Sequence, residues 1–245
     1  GIFGDGKELA QIALAKVFRH GDFRAGYYRD QALMTALGQY SPKHMFSALY
    51  GDPELEREPS SGSRQMMNHF GTRFLNDDGS WKNLMEQNNS TSDMACLASQ
   101  FPRLVGLAQA SQVYRDNPEL AKSKPGFTNG GSEIAFATIG NSSCAEGHFF
   151  EAVNAIGVLQ VPAIISIWDD GYGISVANDI QMTKSDVSEV LKGFQMDEKG
   201  AGYDIVKVMA WDYPALISAY EKAEKLAREK HIPSIIHVIE MTQPT

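Results

Sequence analysis

A chain of 245 residues with 30 Asp and Glu against 22 Lys and Arg carries a net charge of −8. That balance speaks against nucleic acid as a partner, because duplex binding leans on Lys and Arg neutralising phosphates. The 43% apolar content is that of a globular chain rather than a disordered one, and no apolar run approaches the roughly 20 residues needed to span a bilayer. Two cysteines, Cys96 and Cys144, give neither a metal-site spacing nor a disulfide framework, so a reducing, cytoplasmic setting is expected.

In chain order, residues 1–19 read as a loop and then an amphipathic helix, with Leu9, Ile12, Ala13, Lys16 and Val17 at three- and four-residue spacing. A short helix is expected over residues 31–37. Ser41-Pro42 has the form of an N-cap with proline at the first helical position, opening a helix through Met45, Phe46 and Leu49. Residues 52–62, acidic and rich in Pro and Ser, read as an exposed loop, and residues 76–89 as a polar insertion or hairpin. A small-residue helix is expected over residues 104–114, with Leu104, Val105, Leu107 and Ala108 in the core, followed by a polar loop over 117–131.

The organising stretch runs from residue 133 to 175. An apolar, β-branched run (134–139) stops at Gly140, and the polar turn Asn141-Ser142-Ser143 leads into a helix with Phe149, Phe150, Val153, Ile156 and Val158 at helical spacing. Pro162 breaks the chain, and a second apolar strand (163–168) ends on Asp169-Asp170-Gly171. This is a β-α-β unit, whose strands run parallel through a right-handed crossover. Ligands of such sheets sit beyond the carboxyl ends of the strands, where Asn141, Ser142, Asp169 and Asp170 all fall. A helix N-terminus favours phosphate, and an amide oxygen, a carboxylate and backbone carbonyls suit Mg²⁺ bridging to phosphate oxygens. The unit reads as a magnesium-diphosphate cradle.

After it, residues 176–194 are expected to carry Lys and Asp on a helix near the mouth of the site. Residues 203–208 read as a third strand, Trp211-Asp212-Tyr213-Pro214 starts a long helix to Lys230, and 234–240 form the last strand. Glu221, Lys225 and Glu229 fall four apart and mark a solvated face. The fold class expected is α/β, a doubly wound, mostly parallel sheet, with residues 1–245 forming one domain of a longer chain. Gly4-Asp5-Gly6 and Asn88-Asn89 match cofactor motifs as text only, since no strand precedes either.

Gly140-Asn141-Ser142 resembles the Gly-Asp-Gly element of thiamine-diphosphate enzymes, and Asp169-Asp170 the Asn-Asn pair that follows it. Ala145-Glu146-Gly147, Glu151-Ala152-Val153-Asn154, Val161-Pro162 and Gly171-Tyr172-Gly173-Ile174-Ser175 are similar to the α chain of the decarboxylating component of 2-oxo acid dehydrogenase complexes. The pyruvate and branched-chain (2-oxoisovalerate) enzymes are the best-known members. The resemblance covers nearly the whole chain and implies a thiamine-diphosphate-binding fold, the diphosphate-binding half. It implies that Asn141, Asp170 and the Tyr172 carbonyl bind magnesium, and that Tyr28, Arg29, Gly140, Ser142 and Ser143 hold the diphosphate. Trp168 stands where branched-chain enzymes carry arginine. Leu97 is carried over as a wall of the substrate pocket, and His69, in a segment similar to Gly-Gly-Arg-Gln-Met-Pro-x-His, as a catalytic or substrate-positioning candidate. The family puts an acid at position 141 and asparagine at 170; here the two are exchanged, which preserves the charge of the site.

The resemblance further implies oxidative decarboxylation of a 2-oxo acid with acyl transfer to a lipoyl domain of the acyltransferase component. It also implies a β chain or fused β half supplying the glutamate that activates the aminopyrimidine, in a dimer or heterotetramer, with neither nucleic acid nor membrane as partner. Three other readings stand beside it. They are an acetoin dehydrogenase or transketolase-like thiamine enzyme, a magnesium-dependent phosphotransfer domain, and a non-enzymatic assembly subunit with a vestigial cradle.

Overall fold

The computed structural model describes residues 3–242. The loop expected at residues 1–2 lies outside the described residues, as do the final residues 243–245. The chain opens with helix α1 (Glu8–Val17), strand β1 (Phe23–Ala25), helices α2 (Gln31–Ala36) and α3 (Pro42–Leu49), and the two-residue strand β2 (Asn89–Ser90). Helices α4 (Gln100–Asp116) and α5 (Pro118–Ser123) lead to β3 (Ala135–Gly140), α6 (Gly147–Leu159) and β4 (Ala163–Trp168). A tight hairpin follows, β5 (Tyr172–Gly173) and β6 (Val176–Ala177), then the short helices α7 (Asn178–Gln181) and α8 (Val187–Val190). Strand β7 (Asp204–Met209), helix α9 (Tyr213–Lys230) and strand β8 (Ser234–Ile239) complete the fold.

Among the described residues, β2, β1, β3, β4, β8 and β7 lie in that spatial order in one sheet, and every pairing in it is parallel. A parallel sheet is stable only with both faces covered, and the alternation along β4 shows how that is met. Ala163, Ile165 and Ile167 pack with Phe101 and Leu104 of α4 and Phe149, Val153 and Ile156 of α6. Ile164 and Trp168 point the other way, among Ala13 and Leu14 of α1 and Leu216 and Tyr220 of α9. The doubly wound α/β class expected from the sequence is therefore observed, the main sheet being wholly parallel.

Local chemistry fixes the helix ends. Ser41 Oγ accepts the His44 N–H at 3.3 Å with Pro42 at the first helical position of α3, and Asp212 Oδ1 accepts the Ala215 N–H at 3.0 Å at the start of α9. Several expectations are corrected. Helix α1 buries Ala10, Gln11, Ala13, Leu14 and Val17, leaving Leu9 and Ile12 at 45% and 38% exposure, so that of the apolar residues at helical spacing only Ala13 and Val17 face the core. Val158 is 75% exposed at the end of α6, on the opposite side from Val153 and Ile156. Residues 117–131 contain helix α5, started by Pro118. Residues 176–194 are not one helix but a hairpin arm and four short turns of helix, broken where Lys184 and Ser185 adopt positive φ.

A buried ionic cluster ties the first strands to the sheet. Arg24 on β1 donates from Nε to Asp30 Oδ2 at 2.6 Å, from Nη1 to Ser90 Oγ at 2.7 Å, and from Nη1 and Nη2 to the two oxygens of Asp93 at 3.0 Å. Asp30 also accepts from Thr138 Oγ1 of β3 at 2.7 Å, and Arg24 Nη2 reaches the Tyr27 carbonyl at 3.0 Å. Burial pushes the Asp30 carboxyl up to about 6, with Arg24 pulling against it. Gly26 is compulsory here, since a Cβ would collide with both the Asp30 carboxylate and the Arg24 guanidinium. Removing one partner of a buried ionic set leaves uncompensated charge, which costs about 3–5 kcal/mol. Arg24→Ala is therefore expected to lower the unfolding free energy by that amount in urea denaturation; a loss below about 1 kcal/mol would show the cluster to be solvated.

Candidate functional site

Strands β3 and β4 pair in register from Ala135↔Ala163 to Gly140↔Trp168, so both end at the same height. The residues that follow, Asn141 on one side and Asp169-Asp170 on the other, meet at the carboxyl edge of the sheet. Asn141 and Asp170 border a cavity of about 170 Å³ lined also by Lys7, Tyr27, Tyr28, Arg29, Leu97, Gly140, Ser142, Ser143, Trp168, Tyr172, Gly173 and Ile174. Every cofactor and metal residue expected from the sequence lies on that wall. His69 does not: it stacks behind Tyr28, ring centroids 6.4 Å apart, with Nδ1 3.4 Å from the Met67 carbonyl oxygen and Nε2 buried without a partner.

The polar groups are oriented by a hydrogen-bonded chain with a fixed direction. His237 on β8 sits between Ser188 Oγ, 2.6 Å from Nδ1, and Asp169 Oδ2, 2.9 Å from Nε2. Burial pushes the Asp169 carboxyl up, but the His237 hydrogen bond, the Gly171 N–H and Asn178 outweigh it and hold it below the usual carboxylate range. An ionised carboxylate only accepts, so Asn178 must turn Nδ2 toward Asp169, at 3.0 Å. Its Oδ1 then accepts from Asn141 Nδ2 at 2.7 Å, and the same Nδ2 donates to the Tyr172 carbonyl at 3.1 Å. With its nitrogen spent twice, Asn141 has Oδ1 left for a ligand.

A short turn brings Tyr172 there: Asp169 Oδ1 accepts the Gly171 N–H at 2.8 Å, and Gly171 takes φ +83°. Asp170 Oδ1 accepts the Tyr172 N–H at 3.2 Å, while its Oδ2 lies 2.9 Å from Lys7 Nζ. The helix N-terminus expected directly after Asn141-Ser142-Ser143 is displaced. A 3₁₀ turn, Asn141–Ala145, intervenes, and α6 begins at Gly147, away from the cavity wall. Ser142 instead packs against Gly173, where a Cβ would collide with its Oγ. Trp168 is fully buried and its Nε1 donates inward to Ser166 Oγ at 2.7 Å, so it offers the cavity ring surface and no hydrogen bond. Cys144 is held as an inert thiol, since burial pushes its pKa well up.

Two residues escaped the sequence reading. Tyr27 is buried, its hydroxyl has no hydrogen-bond partner, and a Cβ built on Gly140 would stand 3.6 Å from it. Burial, followed by Asp30, pushes its phenol well up, so it remains a neutral donor. The second is Lys7, next to the textual Gly4-Asp5-Gly6 match. The donor set fits an anion: an unpaired phenol, an ammonium and a guanidinium. The acceptor set fits a hard cation, but among the described residues no group of three or more His, Cys, Asp or Glu could hold a metal. One carboxylate, an amide oxygen and a carbonyl would leave the rest of an octahedral Mg²⁺ shell to phosphate oxygens and water, its usual mode. A larger cleft of about 820 Å³ beside Phe3, Ile12, Ala36 and Met45 is mainly apolar, and the charged residues that line it, Asp5 and Glu8, are both acidic.

Comparison with known proteins bears on this geometry. The chain is 27% identical over 235 residues to the 2-oxoisovalerate dehydrogenase subunit alpha of Bacillus subtilis (strain 168), covering 96% of this chain and 59% of that protein. The mitochondrial 2-oxoisovalerate dehydrogenase subunit alpha of Mus musculus is 23% identical over 236 residues, covering 96% and 44%. The subunit alpha 2 of Arabidopsis thaliana is 22% identical over 234 residues, covering 96% and 41%. The chain thus spans about half the length of the curated relatives it matches. The family profile described as Dehydrogenase E1 component matches residues 2–241, and the chain belongs to that family.

Proposed function

We propose that this chain is the thiamine-diphosphate- and Mg²⁺-gripping half of a 2-oxo acid dehydrogenase component that decarboxylates its substrate and passes the acyl group to a lipoyl domain. The observation that carries the reading is the meeting of Asn141, Asp170 and the Tyr172 carbonyl with the unpaired Tyr27 hydroxyl and Arg29 around one cavity. Asn141 Oδ1, Asp170 and the Tyr172 carbonyl would hold the cation. Tyr27, Tyr28, Arg29 and the Ser142 and Ser143 segment would face the diphosphate, with Trp168 and Leu97 giving apolar wall. When bound, the cofactor supplies an electron sink for the carboxylate carbon–carbon bond that breaks.

The residues of this chain bind and orient. None of those on the cavity wall is placed to activate the aminopyrimidine, so a β chain or fused β half supplies that glutamate, and a lipoyl domain accepts the acyl group. His69, behind Tyr28, positions that ring rather than touching the cavity. The relay from Asp169 through Asn178 accounts for the exchange at 141 and 170: an amide at 141 needs a neighbour that fixes which end faces the metal. Outer-shell partners of this kind are worth about 10–100-fold in metal affinity.

The protein completed by its downstream region and β half is expected to decarboxylate branched 2-oxo acids with an artificial electron acceptor; activity on acetoin alone would move it to another thiamine enzyme. Asp170→Ala is expected to abolish Mg²⁺-dependent binding of thiamine diphosphate in calorimetry, and undiminished affinity would remove Asp170 from the metal. Asn178→Ala is expected to weaken Mn²⁺ binding, read by electron paramagnetic resonance with the cofactor present, about 10–100-fold. An unchanged Mn²⁺ affinity would show that Asn141 orients itself.

A further inference from the structure

The cavity contains a cation that the family motifs do not account for. Lys7 precedes α1, is 3% exposed, and its Nζ lies 2.9 Å from Asp170 Oδ2 and 3.2 Å from the Thr242 carbonyl. Two physical rules are broken at this position. An ammonium buried with one carboxylate is weak evidence of stabilisation, because desolvation offsets the attraction. The residue also stands at a helix N-terminus, where the dipole favours negative charge, and its side chain makes no capping bond there. Local conflicts of this sort mark functional positions.

Charge and donor counting say what the function is. An ammonium has three N–H donors; Asp170 and Thr242 take two, and Lys7 borders the cavity. Arg29, the other cation on the wall, is partly committed, since its Nη1 donates to the Phe3 carbonyl at 2.7 Å and its guanidinium lies over the Tyr28 ring. A diphosphate ester carries roughly three negative charges near pH 7. Lys7 and Arg29 are the two cations that the wall itself brings to that charge, and without Lys7 only the partly committed Arg29 remains.

We propose that Lys7 is a ligand of the diphosphate in this site, its third N–H donating to a phosphate oxygen while the ion pair with Asp170 holds the ammonium in place. The proposal rests on the diphosphate reading above, and inorganic pyrophosphate separates the two. Calorimetric titrations of the full chain with its partner half, at saturating Mg²⁺, compare wild type, Lys7→Gln and Lys7→Arg against thiamine diphosphate, pyrophosphate and thiamine. Lys7→Gln is expected to weaken both phosphate compounds about tenfold or more, the value of one charge-assisted hydrogen bond. It should leave thiamine unchanged, and Lys7→Arg should restore most of the loss. Folded Lys7→Gln protein that binds both phosphates with wild-type affinity overturns the proposal and makes Lys7 a strut to Asp170 and Thr242. Wild-type protein that binds pyrophosphate through Lys7 but not thiamine diphosphate overturns the cofactor reading alone. Should Lys7→Gln fail to fold, the ammonium ¹⁵N resonance of Lys7 in the wild type decides: it shifts on adding pyrophosphate, or the proposal fails.

Discussion

Everything at the carboxyl edge depends on the register of β3 against β4. Because Gly140 lies opposite Trp168, the chain leaves both strands at one level, and the first free residue of each faces the other. A slip of one residue would invert every side chain on a strand whose two faces are both buried. The apolar demands of the two helical layers therefore enforce the alignment of the polar ends, and packing holds the site in place before any polar contact is made.

Direction is imposed on that site by the ionised carboxylate of Asp169. Asp169 can only accept, and from this one fact the orientations of Asn178 and Asn141 follow in sequence. The same carboxylate turns the backbone at Gly171, which delivers the Tyr172 carbonyl. Amide groups have no intrinsic preference for which end faces a ligand, so a chain anchored at an ionised group converts a symmetric choice into a fixed one. His237 and Ser188 continue it into the core from β8 and α8, linking the edge to a strand 68 residues further along the chain.

The central unit was legible because its signals are local: two β-branched runs, a helix with 3.6-residue period, and turn residues at both strand ends. Residues 163–168 were placed to the residue, and the wall residues from 140 to 172 with them. What escaped was non-local or short. β1 and β2, three and two residues long, carry no periodicity, and the Arg24 cluster joins residues 69 positions apart. The core face of α1 is not readable from spacing alone, since Leu9 and Ile12 share the spacing of Ala13 and Val17 yet stay exposed while Ala10 and Leu14 pack inward. Lys7 carries no local signal, since the motif beside it is out of context, and Tyr27 stands next to the Tyr28-Arg29 pair that the family pattern picks out.

Gly26 has a wider consequence. Its missing side chain lets Arg24 and Asp30 close over the backbone, so the Tyr27-Tyr28-Arg29 turn is braced from within the protein rather than by whatever occupies the cavity. A loop shaped in advance spends no binding energy on its own ordering. Whatever meets this wall meets a turn whose shape was settled when the chain folded.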